Sequence, residues 1–340
     1  MEPDFGLDPE PVARWIGSLG IGAGGGLTFE RIGAGQSNIT LDVRDAGGGR
    51  WILRRPPLGA LLASAHDVAR EAAIMRGLAG TAVPVPKIHA VSAAEQVASV
   101  PLVLMERVDG LVVDELEVAE GMPADLRRRL SESMIGTLAA IHAVDLHRAG
   151  LAELASHKPY APRQLKRWST QWSQSKTRDL PALEELTGKL TREVPPQRET
   201  VLVHGDFHLR NVISSPETGA VRAVLDWELA TLGDPIADLG SMLAYWPQAG
   251  DAATGLFAAS ALPGFATRAE LTDAYLSITG RDGDSVGYWH ALGLWKIAII
   301  CEGVLRRAVD DPRNAAPVGG PTPEVVERLI DRAFAELAGA

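Results

Sequence analysis

The sequence predicts an α+β protein, with a small antiparallel sheet near the N-terminus and a larger, mainly helical remainder. Three observations predict this class. Short apolar runs separated by turn residues are typical of strands, and they crowd into the first third of the chain. Apolar positions spaced three and four residues apart predict helices over most of the rest. With 340 residues, 46% of them hydrophobic, the chain is long enough for two parts that each bury a core.

Four strand-like runs predict the N-terminal sheet, and one helix is predicted between the third run and the fourth. The tip between the first two runs is rich in glycine and polar residues, which allow close backbone approach and offer hydrogen-bond donors to an anion. The predicted strands cover residues 27–32, 39–44, 51–54 and 101–105, the helix covers residues 66–78, and the tip consists of Gly33, Gly35, Gln36, Ser37 and Asn38.

The helical remainder is predicted from long amphipathic patterns. His142, near the end of the first of them, is expected to be a packed core histidine. Cys301 lies in an apolar helix and is expected to be a buried, inert thiol. The predicted helices cover residues 124–144, 162–175, 181–190, 268–277, 286–309 and 323–337.

The most informative segment is residues 204–211, His-Gly-Asp-Phe-His-Leu-Arg-Asn, which follows a strand-like run at 200–203. Asp226 comes fifteen residues after Asn211, at the end of a second run at 221–225, with residues 216–220 as the turn between the two strands. We expect a loop after the first strand to carry Asp206 and the second strand to bring Asp226 beside it. Two carboxylates and a carboxamide meet the needs of phosphoryl transfer, in which metal ions are held and an acceptor oxygen is oriented.

The spacing His204-x-Asp206-x-x-x-x-Asn211, followed by Asp226, is that of the protein-kinase catalytic loop and its metal-binding Asp, although Gly205 replaces the usual Arg and Trp227-Glu228 replaces Phe-Gly. In this form the sequence resembles the aminoglycoside phosphotransferase and choline kinase branch of the kinase-like fold. Within that branch it is most similar to the kinase-like domain fused to some acyl-CoA dehydrogenases. The segments that carry this closer resemblance are residues 35–38, 52–56 and 226–230, and the resemblance runs from about residue 29 to about residue 246.

The resemblance implies a bilobal protein-kinase-like fold: an N-terminal nucleotide lobe at 1–107, a hinge at about 104–110, and a helical lobe at 108–340 that carries the acceptor pocket. It implies that Asp206 is the base or orienter for the acceptor hydroxyl and that His204 braces the loop. Asn211 and Asp226 would bind Mg²⁺. Asp238 matches the acidic residue that steadies the loop.

The same resemblance places a nucleotide, ATP or GTP, in the N-terminal lobe, with the tip at residues 33–38 covering its phosphates. Arg54 stands where the kinase family has a phosphate-pairing Lys, and Glu71 stands where that residue's ion-pair partner belongs. Arg55 is the alternative, because a one-residue shift of register would turn it to the inward face. Backbone groups near Glu106 and Val108 are expected to meet the adenine edge.

Several classes of function are excluded or disfavoured by the sequence. One cysteine excludes intrachain disulfides and C-x-x-C metal sites, and the absence of a G-x-x-x-x-G-K-[ST] motif removes the P-loop kinases. The formal charge of −10 argues against nucleic-acid and anionic-membrane partners. The start lacks the pattern of a signal peptide and no apolar run approaches membrane-spanning length. We therefore expect a cytoplasmic monomer or homodimer whose partners are a nucleotide and a small hydroxyl acceptor.

The acceptor is predicted only as a class. From residue 251 onward 12 Asp and Glu face 8 Lys and Arg with no dense acidic cluster, which is too mild for a pocket that binds a polycationic aminoglycoside. On the helix at 162–175, Arg163 and Arg167 share one face and Trp168 and Trp172 share another, and Trp295-Lys296 lies on a later helix. They favour a partly apolar, anionic hydroxyl compound, and the acyl-CoA dehydrogenase association suggests a hydroxyacyl substrate.

Other interpretations remain open at this point. The protein is a nucleotide-binding protein without turnover if the change to Arg54 is disabling. It is a metal-dependent hydrolase if His204, Asp206, His208 and Asp226 converge on one ion. Aminoglycoside O-phosphotransfer is a further alternative. His208 either contacts the acceptor or packs the loop.

Overall fold

A computed structural model describes residues 5–22, 26–32, 38–57, 67–156, 158–251, 255–310 and 320–339. The chain divides into two compact units, each of which is discontinuous in sequence. The first combines Met1–Asp109 with Ala223–Glu228, and the second combines Gly110–Arg222 with Leu229–Ala340. Among the described helices, none has the length and apolar character needed to span a membrane.

The first unit is built on a five-stranded antiparallel sheet in the order β1-β2-β3-β5-β4. The predicted antiparallel sheet is confirmed, and β4 and the first helix are additions that the sequence patterns did not reveal. Val12 and Ile16 of that helix pack with Leu41 and Leu53 in one apolar core. The elements are α1 (Pro9–Ser18), β1 (Leu27–Ile32), β2 (Ile39–Asp45), β3 (Arg50–Arg55), α2 (Val68–Leu78), β4 (Ile88–Ser92) and β5 (Leu102–Glu106).

Strand β3 sets the direction of the two candidate arginines. Trp51 and Leu53 are buried in the core on one face of the strand, and Arg55 follows them with the same period of two. Arg54 therefore projects from the opposite face. Helix α2 begins after Asp67. The Asp67 carboxylate accepts a hydrogen bond from the Arg70 N–H at 2.9 Å and so caps the N-terminus of the helix.

The second unit is mainly helical, as predicted. At its centre α9 packs against α7, and glycine permits the close approach: a Cβ added at Gly240 would lie 2.4 Å from the Trp289 carbonyl carbon. The helices are α3 (Leu116–Glu120), α4 (Ala124–His142), α5 (Tyr160–Ser175), α6 (Pro181–Arg192), α7 (Pro235–Ala244), α8 (Arg268–Thr279), α9 (Val286–Asp310) and α10 (Pro323–Ala338).

Short strands flank the 204–211 segment. β6 (Val201–Val203) pairs antiparallel with β9 (Thr231–Gly233), while β7 (Val212–Ser214) and β8 (Val221–Val224) precede and follow the turn at 216–220. The predicted turn at 216–220 is present, but the strand that directly precedes it is β7, which the sequence pattern did not reveal. A three-residue strand that directly follows a dense polar motif carries too little apolar pattern to be detected.

Candidate active site

The 204–211 loop begins where β6 ends, and a buried carboxylate on α7 anchors it. Asp238 accepts hydrogen bonds from the backbone N–H groups of His204 and Gly205, at 2.6 and 2.8 Å. Gly205 has a φ of 80°, and a Cβ there would lie 2.8 Å from the Leu229 carbonyl oxygen. Only glycine fits this position without distortion. The predicted anchoring by Asp238 is confirmed.

Two histidines extend this anchor. His204 is fully buried, and its Nδ1 accepts the backbone N–H of Asp206 at 3.3 Å, so it supports the loop from within. His142, buried as predicted, places Nε2 3.3 Å from Asp238 and Nδ1 2.6 Å from the Tyr275 hydroxyl. The loop backbone is therefore fixed by a buried polar chain that starts on α4 and α8.

The Asp206 carboxylate lies among hydrogen-bond donors and positive charges. We define the Asp206 cluster as Asp206, His208, Asn211 and Lys296. His208 Nε2 and Asn211 Nδ2 are both 3.3 Å from Asp206 Oδ2, and Lys296 Nζ is 3.8 Å from Oδ1. Burial alone would raise the pKa of Asp206, but His208 and Lys296 outweigh it and hold that pKa well below its usual range. The carboxylate is therefore ionised at neutral pH and able to accept a hydrogen bond.

Asn211 is held by the same loop. Its Nδ2 donates to the Asp206 carbonyl oxygen at 2.9 Å, so the amide nitrogen is turned inward. The carbonyl oxygen Oδ1 is then the atom that this side chain can offer to a metal ion.

Aromatic rings border the Asp206 cluster. His208 is buried and packs edge-on against Tyr245 and Phe257, with ring centroids 4.8 and 5.3 Å apart. Arg210 lies 5.7 Å from the Phe257 ring centre. Burial, reinforced by the negative charge of Asp206, raises the pKa of Tyr245 well above its ordinary value. His208 thus packs the loop and contacts Asp206 at the same time.

A second group of charged residues lies in the first unit, where we define the Asp226 cluster as Arg54, Glu71, Asp226 and Glu228. Arg54 Nη2 is 2.9 Å from Asp226 Oδ1, and Arg54 Nε is 3.3 Å from Glu71 Oε2. The predicted Arg54–Glu71 ion pair is confirmed. Asp226 has a φ of 63°, a left-handed conformation that costs a non-glycine residue free energy.

Arg55 has a different environment. Its guanidinium donates to the carbonyl oxygens of Phe5, Gly6 and Pro56, at 2.6, 2.9 and 3.0 Å. It ties the N-terminal segment to the sheet. Of the two alternatives left by the sequence, Arg54 is the residue that faces the acidic side chains.

The donors of the Asp226 cluster fit a hard divalent cation. Glu71, Asp226 and Glu228 each present a carboxylate oxygen, and these atoms all lie within 4.8 Å of one another. Burial raises the pKa of Glu71 to about 7; Arg54 opposes the increase, and Asp226 and Glu228 add to it. Three carboxylates thus face one guanidinium, and oxygen ligands of this kind suit Mg²⁺. Glu228 was missed in the sequence, where its position two residues after Asp226 was the available signal.

The remaining predicted nucleotide residues divide into two groups. Gly33, Gly35, Gln36 and Ser37 lie outside the described residues. Asn38 is described and buried, and its Nδ2 donates to Glu71 Oε1 at 2.8 Å.

The predicted hinge begins at the end of β5. Glu106 ends this strand, and its N–H donates to the Lys87 carbonyl oxygen at 2.8 Å. That N–H is therefore engaged within the first unit. Val108, two residues on, is half-buried.

The sequence profile of the "Phosphotransferase enzyme family" matches residues 28–271. The chain belongs to this family. Its members are phosphotransferases that act on hydroxyl groups of small molecules.

Relatives in this family include two animal proteins. The chain is 34% identical over 304 residues to acyl-CoA dehydrogenase family member 10 of Mus musculus, which covers 88% of this chain and 28% of that protein. It is 32% identical over 286 residues to acyl-CoA dehydrogenase family member 11 of Rattus norvegicus, which covers 83% of this chain and 36% of that protein. The chain thus spans about a third of the length of these relatives.

A solved structure supports the fold. The crystal structure of a candidate aminoglycoside phosphotransferase from Ralstonia eutropha JMP134 superposes with a TM-score of 0.79 at 31% identity, covering 97% of this chain and 99% of that one. The predicted kinase-like α+β fold is confirmed.

Proposed function

We propose that this phosphotransferase uses Mg²⁺ and ATP or GTP to transfer the γ-phosphoryl group to a hydroxyl of a small metabolite. The observation that carries the proposal is the Asp206 cluster, in which an ionised carboxylate and a carboxamide are fixed by buried anchors. Phosphoryl transfer is catalysed mainly by positioning and electrostatic stabilisation, and this loop provides the positioning.

Each residue has a proposed role in the reaction. Asp206 accepts the hydrogen bond of the acceptor hydroxyl, orients it and receives its proton as the new oxygen–phosphorus bond forms and the β–γ bridge breaks. Asn211 and Asp226 bind Mg²⁺, which when bound offsets the negative charge of the phosphates. Arg54 binds phosphate oxygens, and its planar group is able to hold two of them. His204 braces the loop.

The further roles concern the nucleotide. Glu71 holds Arg54 in place through their 3.3 Å contact. The tip at residues 33–38 covers the phosphates. Backbone groups of Glu106 and Val108 bind the base. The assignments of the tip and of the backbone groups rest on the family resemblance.

For the acceptor, we propose a partly apolar, anionic hydroxyl compound, with a hydroxyacyl compound as the leading candidate. The rings of His208, Tyr245 and Phe257 offer apolar surface near Asp206. Arg210, which lies 5.7 Å from the Phe257 ring centre, adds positive charge there. This sign suits a carboxylate, thioester or phosphate-bearing acceptor and opposes a polycationic aminoglycoside. The matches to acyl-CoA dehydrogenase family members support the same choice.

The alternatives receive less support. A hydrolase with one metal ion needs His204 as a ligand, yet His204 is fully buried and its Nδ1 is engaged by the Asp206 N–H. Within the described residues, the group of side chains that can hold a metal contains three carboxylates and neither histidine. A protein without turnover would need an Arg54 that cannot contact phosphate, whereas ion pairs with two carboxylates hold the Arg54 guanidinium in place.

The test is magnesium-dependent consumption of ATP and of GTP across a panel of acceptors: 3- and 4-hydroxyacyl-CoAs, choline, homoserine and kanamycin. We expect stimulation by a hydroxyacyl compound that is lost in Asp206→Asn. Stimulation by kanamycin would instead support antibiotic phosphorylation. Stabilisation by Mg-ATP without turnover on any acceptor would favour the nucleotide-binding alternative.

A further inference from the structure

Lys296 is the one lysine that is buried among the residues the structure describes, with 7% of its surface exposed. It lies within α9, between Trp295 and Ile297, which are both buried. Burying an ammonium group costs free energy because the charge leaves water, and an apolar side chain of similar volume would pack at lower cost. A lysine at this position therefore calls for an explanation outside packing.

The ammonium group of Lys296 is directed at the 204–211 loop. Nζ donates a hydrogen bond to the Gly205 carbonyl oxygen at 2.8 Å and lies 3.8 Å from Asp206 Oδ1. It also lies 5.5 Å from the ring centre of Trp168 on α5, a distance at which a cation is attracted to an indole face. Burial lowers the pKa of Lys296, while Asp206 and Asp238 oppose that change.

Both backbone polar groups of Gly205 are consequently hydrogen-bonded to buried charged side chains, one negative and one positive. Its N–H donates to Asp238 on α7, and its carbonyl oxygen accepts from Lys296 on α9. This residue has the left-handed φ that turns the chain toward Asp206. The two anchors together define the orientation of the peptide that carries Asp206.

We propose that Lys296 is a positioning residue for Asp206. It fixes the Gly205 carbonyl and holds the Asp206 carboxylate in its orientation. It acts on phosphoryl transfer only through that carboxylate. This inference rests on the proposed function. Since a displacement of about 1 Å in a reacting group costs roughly 100-fold in rate, loss of this anchor should lower kcat roughly 10- to 100-fold. Nucleotide affinity should change less than about twofold, because the described contacts of Lys296 are with Gly205, Asp206 and Trp168, which are not assigned to the nucleotide.

The first experiment compares Lys296→Met with wild type. Methionine keeps the length of the side chain and removes the charge, and the surface variant Lys176→Met, which removes an ammonium paired with Asp179, is the matched control. We expect a lower kcat, an unchanged KM for the nucleotide and an unchanged or higher Tm.

In the Asp206→Asn background, the same substitution should lower kcat less than about threefold further, because both changes act on one interaction.

Hydrogen exchange of the backbone amides at 204–208 gives a second readout that requires no acceptor. We expect faster exchange in Lys296→Met and no change in Lys176→Met. If Lys296→Met does not fold, Lys296→Gln retains a donor for the Gly205 carbonyl without the charge. It should lower kcat and speed exchange, but both effects should be smaller than those expected for complete loss of the anchor, because one of the two contacts remains.

Wild-type kcat and wild-type exchange in the variants would overturn the proposal, and so would a full multiplicative loss in the Asp206→Asn background. Failure of the proposed function has a different signature: the wild type itself would show no acceptor-stimulated turnover. In that case unchanged exchange in Lys296→Met would overturn the positioning role, and faster exchange would support it.

Discussion

The protein surrounds its two candidate catalytic carboxylates in opposite ways. In the second unit, Asp206 lies among Lys296, His208 and the Asn211 amide, and His208 and Lys296 outweigh the effect of burial and lower its pKa. In the first unit, Asp226 lies beside two further carboxylates and one guanidinium, and the neighbouring Glu71 has its pKa raised to about 7. The Asp206 cluster stabilises a carboxylate with its own donors and positive charge, whereas the Asp226 cluster has excess negative charge. The difference indicates which carboxylate is built for an acceptor hydroxyl and which for a cation.

The largest expected effect concerns Asp226. Asp226→Ala removes a ligand from the cluster with excess negative charge, and we expect magnesium-dependent turnover to fall at least about 1000-fold. Steady-state assays over a magnesium titration measure it. Full activity in this variant would contradict the metal role, and the exposed Asp179→Ala serves as a control for loss of an acidic side chain.

Asp206→Asn should separate transfer from nucleotide binding. The amide preserves the shape of the side chain but cannot accept the acceptor's proton, so we expect kcat to fall roughly 100- to 1000-fold. The Kd for Mg-nucleotide should stay within about twofold, as measured by calorimetry. Loss of nucleotide binding by a folded variant would mean that Asp206 acts on the nucleotide and not on the acceptor.

Arg54 and Arg55 form a natural pair for the next comparison. Arg54→Ala removes a charge-assisted contact from the Asp226 cluster, and we expect nucleotide affinity to fall about tenfold. Arg55→Ala removes the donor to the Phe5, Gly6 and Pro56 carbonyls, so it should lower Tm and leave affinity per folded molecule unchanged. The reverse pattern would show that the functional face of β3 has been misassigned.

The smallest effect concerns Glu71 and pH. Burial raises its pKa in the folded protein to about 7, above the ordinary value of 4.5, so its contribution to stability is complete below about pH 4.5 and is lost as pH rises through 7. Glu71→Gln removes this dependence. In magnesium-free buffer its Tm should therefore gain on wild type by a few degrees between pH 6 and pH 8.

The matched control for that measurement is Glu132→Gln, an exposed residue paired with Arg128 at the surface. Its Tm should follow the wild type across the same range. An equal gain in both variants would assign the effect to net charge and not to the acidic environment of Glu71.

Much of the fold was predictable because its signals are local. The strands β1 to β3 follow a period of two, and α4 and α9 carry long apolar stripes that identify them without tertiary information. β4, β7 and β9 were missed. They are only three to five residues long, and their stability comes from partners distant in sequence, so their composition alone does not distinguish them from loops.

The candidate site shows the same division. His204, Asp206 and Asn211 were found because one short loop carries them at fixed spacing, and Arg54 and Glu71 because strand and helix order placed them. Glu228 and the exact function of Lys296 depend on the fold. From the sequence, Trp295-Lys296 indicated only an acceptor pocket, and only the structure brings the Lys296 Nζ to Gly205.

The central claim is that the Asp226 cluster binds the cation while Asp206 serves the acceptor. The most direct test is a calorimetric titration of Mg²⁺ into nucleotide-saturated wild type, Asp226→Asn and Asp206→Asn, two isosteric changes of one charge each. We expect Asp226→Asn to weaken metal binding at least about tenfold, because a carboxylate ligand is lost, and Asp206→Asn to change it less than about twofold. Equal weakening by the two variants would contradict the division of roles between the two carboxylates.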